Sequence, residues 1–113
     1  MRISKIAKSP PYAVASALTA LGENIRIARL RRQLSREELA EKIGVTRYVV
    51  GDVERGKPTT AIAAYLGALW ALGLLEGLED VADPDRDAEG KTLEAMRAPT
   101  TAPKRTKGLD DDF

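Results

Sequence analysis

Arg47, Tyr48, Gly51 and Asp52 are spaced to share one edge of a helix, opposite Val49, Val50 and Val53. A guanidinium is a planar fork of donors that grips an oxyanion or a pair of flat acceptors. A phenol adds an apolar ring with a polar tip, and a carboxylate accepts from amines or braces a neighbouring cation. Ser35, Arg36, Thr46, Arg55 and Lys57 lie close by in sequence and add hydroxyls and positive charge. This is the chemistry of binding rather than of bond making. The chain has no His and no Cys, which removes thiol redox chemistry, most metal sites and the usual general base. With no Gly-rich phosphate loop and no converging carboxylates, neither an enzyme nor a cofactor is expected.

Two short helices are needed to hold those residues, and the sequence marks the ends of both. Ser35 and Glu38 form an S-x-x-E capping box before the apolar positions Leu39, Ala40 and Ile43. Gly44 supplies the left-handed residue that ends the first helix, and Thr46 offers a fresh N-cap for the second. Val49, Val50 and Val53 then turn inward until Gly56 and Pro58 stop the chain. Two crossed helices on a Gly-containing turn form the helix-turn-helix pattern, whose second helix lies in a DNA major groove. DNA reading is the function this implies.

The flanking segments support an all-α bundle of about five helices. Ser9-Pro10-Pro11 ends a flexible arm over residues 1–11, in which Ile3 and Ile6 could form a short strand. Val14, Leu18, Leu21, Ile25 and Ala28 then recur on one helical face. Gly22 interrupts that face at a cost of ~1 kcal/mol relative to Ala. Either one long helix bends there or a short leading helix joins a longer one. Beyond Lys57-Pro58-Thr59, Thr60 is a candidate N-cap for a helix over 61–72 packing Ile62, Tyr65, Leu66, Leu69 and Trp70. Gly73 ends it, and Leu74, Leu75, Leu78 and Val81 suggest one more short helix before Ala82-Asp83-Pro84. The domain is thus expected over 12–82, an acidic segment with a helix from Asp87 to Arg97 over 83–97, and a disordered tail over 98–113.

A net charge of +1 over 113 residues hides an uneven distribution. Residues 23–57 carry nine bases against six acids, and residues 76–95 carry eight acids against two bases. A basic front and an acidic back would orient the molecule toward phosphate, although an ordinary mixed surface also fits. No apolar run approaches the ~18–20 residues that span a bilayer, and the basic start has no clear cleavage site after it. A soluble, cytoplasmic protein is expected.

Residues 21–58, LGENIRIARLRRQLSREELAEKIGVTRYVVGDVERGKP, resemble the lambda-repressor-like (Xre/Cro) helix-turn-helix family. The matching features are Ile25 and Arg29, Leu39-Ala40 and Gly44-Val45 around the turn, and Glu54-Arg55-Gly56 after the second helix. SPPYAV, YLGALWALGLLEGLEDVADPDRD and the terminal GLDDDF resemble the HipB-type antitoxins that accompany HipA-type kinases. The first resemblance implies a phosphate at the helix start by Ser35, and places Arg36 where the family often has a Gln reaching phosphate. It also implies a partly buried ion pair between Arg29 and Glu54. Gly51 departs from the family, whose recognition helices usually carry a larger polar residue there. The second resemblance implies a DNA-binding repressor of its own operon and a HipA-like kinase partner. Leu109, Asp110, Asp111, Asp112 and Phe113 would then contact that partner. A stand-alone regulator is the alternative.

Within the site, Arg47 could read guanine O6 and N7 or clamp a phosphate, and Tyr48 could meet a thymine methyl or a phosphate. Asp52 fits better as a brace for Arg47 or Arg55 than as a base contact. Gly51 suggests either close approach of backbone to the groove or slack in a tolerant site. Thr46 and Lys57 complete a phosphate rim, with Arg31 and Arg32 as further candidates. Trp70, Leu74, Leu75 and Leu78 exceed what so small a core needs, and predict a homodimer contact that sets two reading helices on a palindromic DNA site.

Overall fold

Ser35, Thr46 and Gly44 lay out the centre of the molecule. A computed structural model describes residues 3–97. In chain order its α-helices are α1 (Lys5–Lys8), α2 (Tyr12–Arg31), α3 (Arg36–Ile43), α4 (Arg47–Glu54), α5 (Ile62–Ala71) and α6 (Ala88–Arg97). Short 3₁₀ turns occupy Leu78–Asp80 and Pro84–Arg86. The fold is all-helical, with no strand among the described residues. The tail expected to be disordered lies outside them.

The chain divides between Glu76 and Gly77 into two compact units, ahead of the Ala82-Asp83-Pro84 break. In the first unit, the Ser35 hydroxyl accepts from Glu38 N at 3.0 Å while the Glu38 side chain accepts from Ser35 N at 2.8 Å, completing the capping box. Gly44 ends α3 at φ 76°, and its N–H donates to Ala40 O. Thr46 Oγ1 then accepts from Val49 N at 3.3 Å and opens α4. Around this turn α2, α3, α4 and α5 enclose a core in which Ile25, Leu39, Val50 and Val53 are fully buried. Each such side chain contributes roughly 1.5–3 kcal/mol by leaving water. Val49 stays half-buried at the edge of that core.

At Gly22 the structure decides between the two arrangements left open by the sequence. One long helix runs from Tyr12 to Arg31, and no separate leading helix is formed. A Cβ on Gly22 would fall 2.5 Å from Val53 O, 2.7 Å from Glu54 O and 2.8 Å from Gly56 N. A Cβ on Gly56, which sits at φ 69°, would fall 2.5 Å from Leu18 O. The two glycines let the backbone of α2 touch the end of α4 directly.

Several outer positions also differ from expectation. Lys5–Lys8 is a helical turn capped by Ser4, so Ile3 and Ile6 form no strand. Thr60 is not the cap of α5, because Ala61 holds that place with no side-chain hydrogen bond. α5 turns Ala64, Tyr65, Ala68 and Leu72 inward, leaving Ile62 72% and Trp70 63% exposed. Small alanines let α5 come close to α3 and α4, and this phase prevailed over burial of Ile62 and Trp70. Gly73 ends α5 at φ 76° as expected, but Leu74 and Leu75 form no helix.

In the second unit, the expected helix through Leu78 and Val81 is only the 3₁₀ turn Leu78–Asp80, with Val81 exposed. Asp83 caps the next turn by accepting from Asp85 N at 2.9 Å. Asp87 accepts from Gly90 N at 2.9 Å at the start of α6, on which Leu93 and Met96 are exposed.

Candidate nucleic-acid interface

With Val50 and Val53 locked in the core, helical periodicity forces Arg47, Tyr48 and Asp52 to the other side of α4. Arg47 and Tyr48 are well exposed, Tyr48 at 69%. Together with α3 they border a cleft of ≈ 550 Å³ lined by Arg29, Ser35, Arg36, Glu37, Arg47, Tyr48, Gly51, Asp52 and Arg55. Seven residues singled out from sequence therefore meet in one place: Ser35, Arg36, Arg47, Tyr48, Gly51, Asp52 and Arg55. Thr46 stays at its cap. Lys57 lines a second cleft with Val45, Val49 and Thr60, on the far side of Asp52.

The back of the first cleft is an ion cluster. Arg29 Nε donates to Glu54 Oε2 at 2.5 Å, Nη2 to Glu54 Oε1 at 3.1 Å, and Nη1 to Leu34 O at 2.8 Å. Both partners are buried, so this pair fastens α2 to the end of α4. Arg36 Nε donates to the same carboxylate at 3.0 Å from the start of α3. Its side chain is thus engaged in the fold, while about half of it remains exposed on the cleft wall. Burial pushes the Glu54 carboxyl up, but the hydrogen bonds from Arg29 and Arg36 outweigh it and hold the group below the usual carboxylate range. One anion between two cations leaves a local positive charge at the base of the cleft.

The front is braced by two separate pairs, one at each end of the edge. Arg47 Nη1 donates to Glu37 Oε2 at 2.9 Å and Nη2 to Tyr48 Oη at 3.0 Å. The guanidinium carbon lies 4.9 Å from the Tyr48 ring centroid. Hydrogen bonding from Arg47 holds the Glu37 carboxyl below its ordinary value. Asp52 does not reach Arg47. It pairs with Arg55 and lies 3.8 Å from Lys57 Nζ, bracing the C-terminal side of the edge. Arg32 turns back to donate to Ala28 O at 2.9 Å, capping α2 rather than joining the cleft.

Two further residues were not singled out for these roles. Glu37 is the acidic partner of Arg47; its only sequence signal is that both stand in the first turns of successive helices. Tyr65 Oη donates to Lys57 O at 2.8 Å and fixes the loop that leaves α4. Burial, with the Asp52 charge, raises the pKa of the Tyr65 phenol. Gly51 is buried under the cleft, and a Cβ there would meet only Arg55 Nη1 at an ordinary 3.5 Å. Internal packing does not require this glycine.

Of the other expected sites, Trp70 and Leu74 are exposed and Leu75 is half-buried, while Leu78 belongs to the second unit. Leu109, Asp110, Asp111, Asp112 and Phe113 lie outside the described residues. Among the described residues, no helix is long and apolar enough to cross a membrane.

Residues 25–66 match the family described as Helix-turn-helix, a span running from Ile25 in α2 through all of α3 and α4 into α5. No curated protein and no solved structure is matched by the chain. The matched span is similar to that family over the segment that holds the capped turn between α3 and α4.

Proposed function

We propose that the chain is a sequence-specific DNA-binding transcriptional repressor, acting as a homodimer on a palindromic operator. The observation that carries this reading is the exposed Arg47–Tyr48 edge of α4, standing over a cleft bordered by four arginines. A helix that buries one face and offers donors on the other suits a groove whose base edges are acceptors and donors. Arg36, Arg55 and Lys57 supply phosphate contacts, and Ser35 and Thr46 bring helix N-termini toward the backbone. Gly51 leaves the middle of the edge low, which favours close approach of a duplex.

Selection of bound duplexes from a random pool, followed by titration against salt, tests this. A dimer touching about six to ten phosphates should give a log–log slope near −5 to −9. Arg55→Ala and Lys57→Ala, each removing one phosphate contact per subunit, should each flatten that slope by about 2 without changing the selected sequence. A salt-independent response, or a pool that converges on no sequence, refutes the reading.

Within this class, resemblance of the flanking segments to HipB-type antitoxins favours a repressor that also binds a HipA-like kinase. The acidic end, Leu109 to Phe113, would be its contact. A co-expressed HipA-like kinase that is not retained by the chain would leave a stand-alone regulator.

A further inference from the structure

The Glu37–Arg47 pair joins α3 to α4 at the rim of the cleft, and its exposure leaves it little structural value. We propose that Glu37 is a specificity-determining positioning residue: acting through Arg47, it fixes which base pair the chain distinguishes, without touching DNA itself. This rests on the DNA-reading function proposed above. Arg47 is held at two points, by Glu37 Oε2 on Nη1 and by Tyr48 Oη on Nη2, with the Tyr48 ring beneath its guanidinium. A guanidinium has five N–H donors. These bonds engage one donor on each Nη, so Nε–H and the second N–H of each Nη remain for a paired acceptor such as guanine O6 and N7.

Pinning changes what such a fork can do. An unrestrained arginine swivels between base edge and phosphate, and so binds many sequences in different poses. A guanidinium fixed before DNA arrives meets one acceptor pattern at one place along the groove, and little rotamer freedom is lost on contact. Glu37 also repels every duplex alike through its charge, which lowers non-specific binding without lowering the preference between sequences. Tyr48 alone cannot set the direction, because it sits beside Arg47 on the same helix and moves with it. Glu37 comes from α3, and supplies the external reference.

The test uses the full chain, its selected operator, single-base-pair variants of that operator and an unrelated duplex. Affinities are measured for wild type, Glu37→Ala, Arg47→Ala and the double variant. Glu37→Ala should reduce discrimination at the base pair read by Arg47 by about 2- to 10-fold. It should also tighten binding to the unrelated duplex, and discrimination elsewhere should stay as it was. The double variant should discriminate no worse than Arg47→Ala alone. Since both side chains are more than half exposed, the melting temperature should move little. Unchanged discrimination in Glu37→Ala, additive losses in the double variant, or an Arg47→Ala that discriminates as wild type would each overturn the proposal while leaving DNA reading intact. Wild type that selects no sequence would remove the function and this inference together.

Discussion

Glu54 is the residue on which the interior electrostatics turn. It is buried, it receives three hydrogen bonds from two arginines, and its pKa lies below its ordinary 4.5. In the unfolded chain the carboxyl returns to the ordinary value. Its contribution to stability is therefore complete above about pH 4.5 and is lost as pH falls through the lower folded value. Glu54→Gln should destabilise the domain at pH 7 by about 3–5 kcal/mol, since Arg29 is left as an unpaired buried charge. Denaturant titrations at several pH values should show that deficit shrinking as pH drops below about 4.5 and through the lower folded value. A deficit independent of pH would mean that packing rather than ionisation holds the cluster. The Arg29–Glu54 pair is legible in sequence only through the family resemblance, because 25 residues separate the partners. Arg36 joining them was not legible at all, since a charged residue at a helix start serves a phosphate or a carboxylate equally well.

At the scale of elements, the caps and glycines decide more than propensity does. Ser35, Glu38, Gly44 and Thr46 act within one turn of themselves, so their roles are readable from order alone. Gly22 is the opposite case: its partner is the backbone at Val53 to Gly56, a contact no local pattern reports. Helix propensity favours alanine at both Gly22 and Gly51 by about 1 kcal/mol. At Gly22 the added Cβ would strike three backbone atoms at under 3.0 Å, which outweighs that gain. Gly22→Ala should lower stability by about 1–3 kcal/mol. At Gly51 the nearest atom is a mobile arginine tip, so Gly51→Ala should raise stability by up to about 1 kcal/mol and weaken operator binding. Thermal melts of the two variants compare these signs directly. Equal shifts would contradict the close approach at Gly22. The phase of α5 is hard to read from sequence for a related reason, because Ala64 and Ala68 are buried for their smallness while Trp70 is left outside.

For the whole molecule, Trp70 and Leu74 are large apolar side chains that a lone domain gains nothing by showing to water. With Leu75, these residues are the proposed contact between two copies. Sedimentation at micromolar concentration should give twice the chain mass of 12.2 kDa, and Trp70→Asp should return it to 12.2 kDa with little change in folding. A wild-type monomer would argue against paired reading helices and leave single-site binding. The charge asymmetry visible in sequence has a structural counterpart in each unit taken separately. The arginine cleft belongs to the first, and the carboxylates from Glu79 to Asp87 belong to the second.

The meeting of Gly22 with Gly56 has a further implication for how this molecule can change. Main chain rests on main chain there, so this seat of α4 does not depend on the identity of its outward residues. On the proposed DNA-reading function, substituting that outer row gives the same frame a new target sequence, much as type is reset in a fixed press.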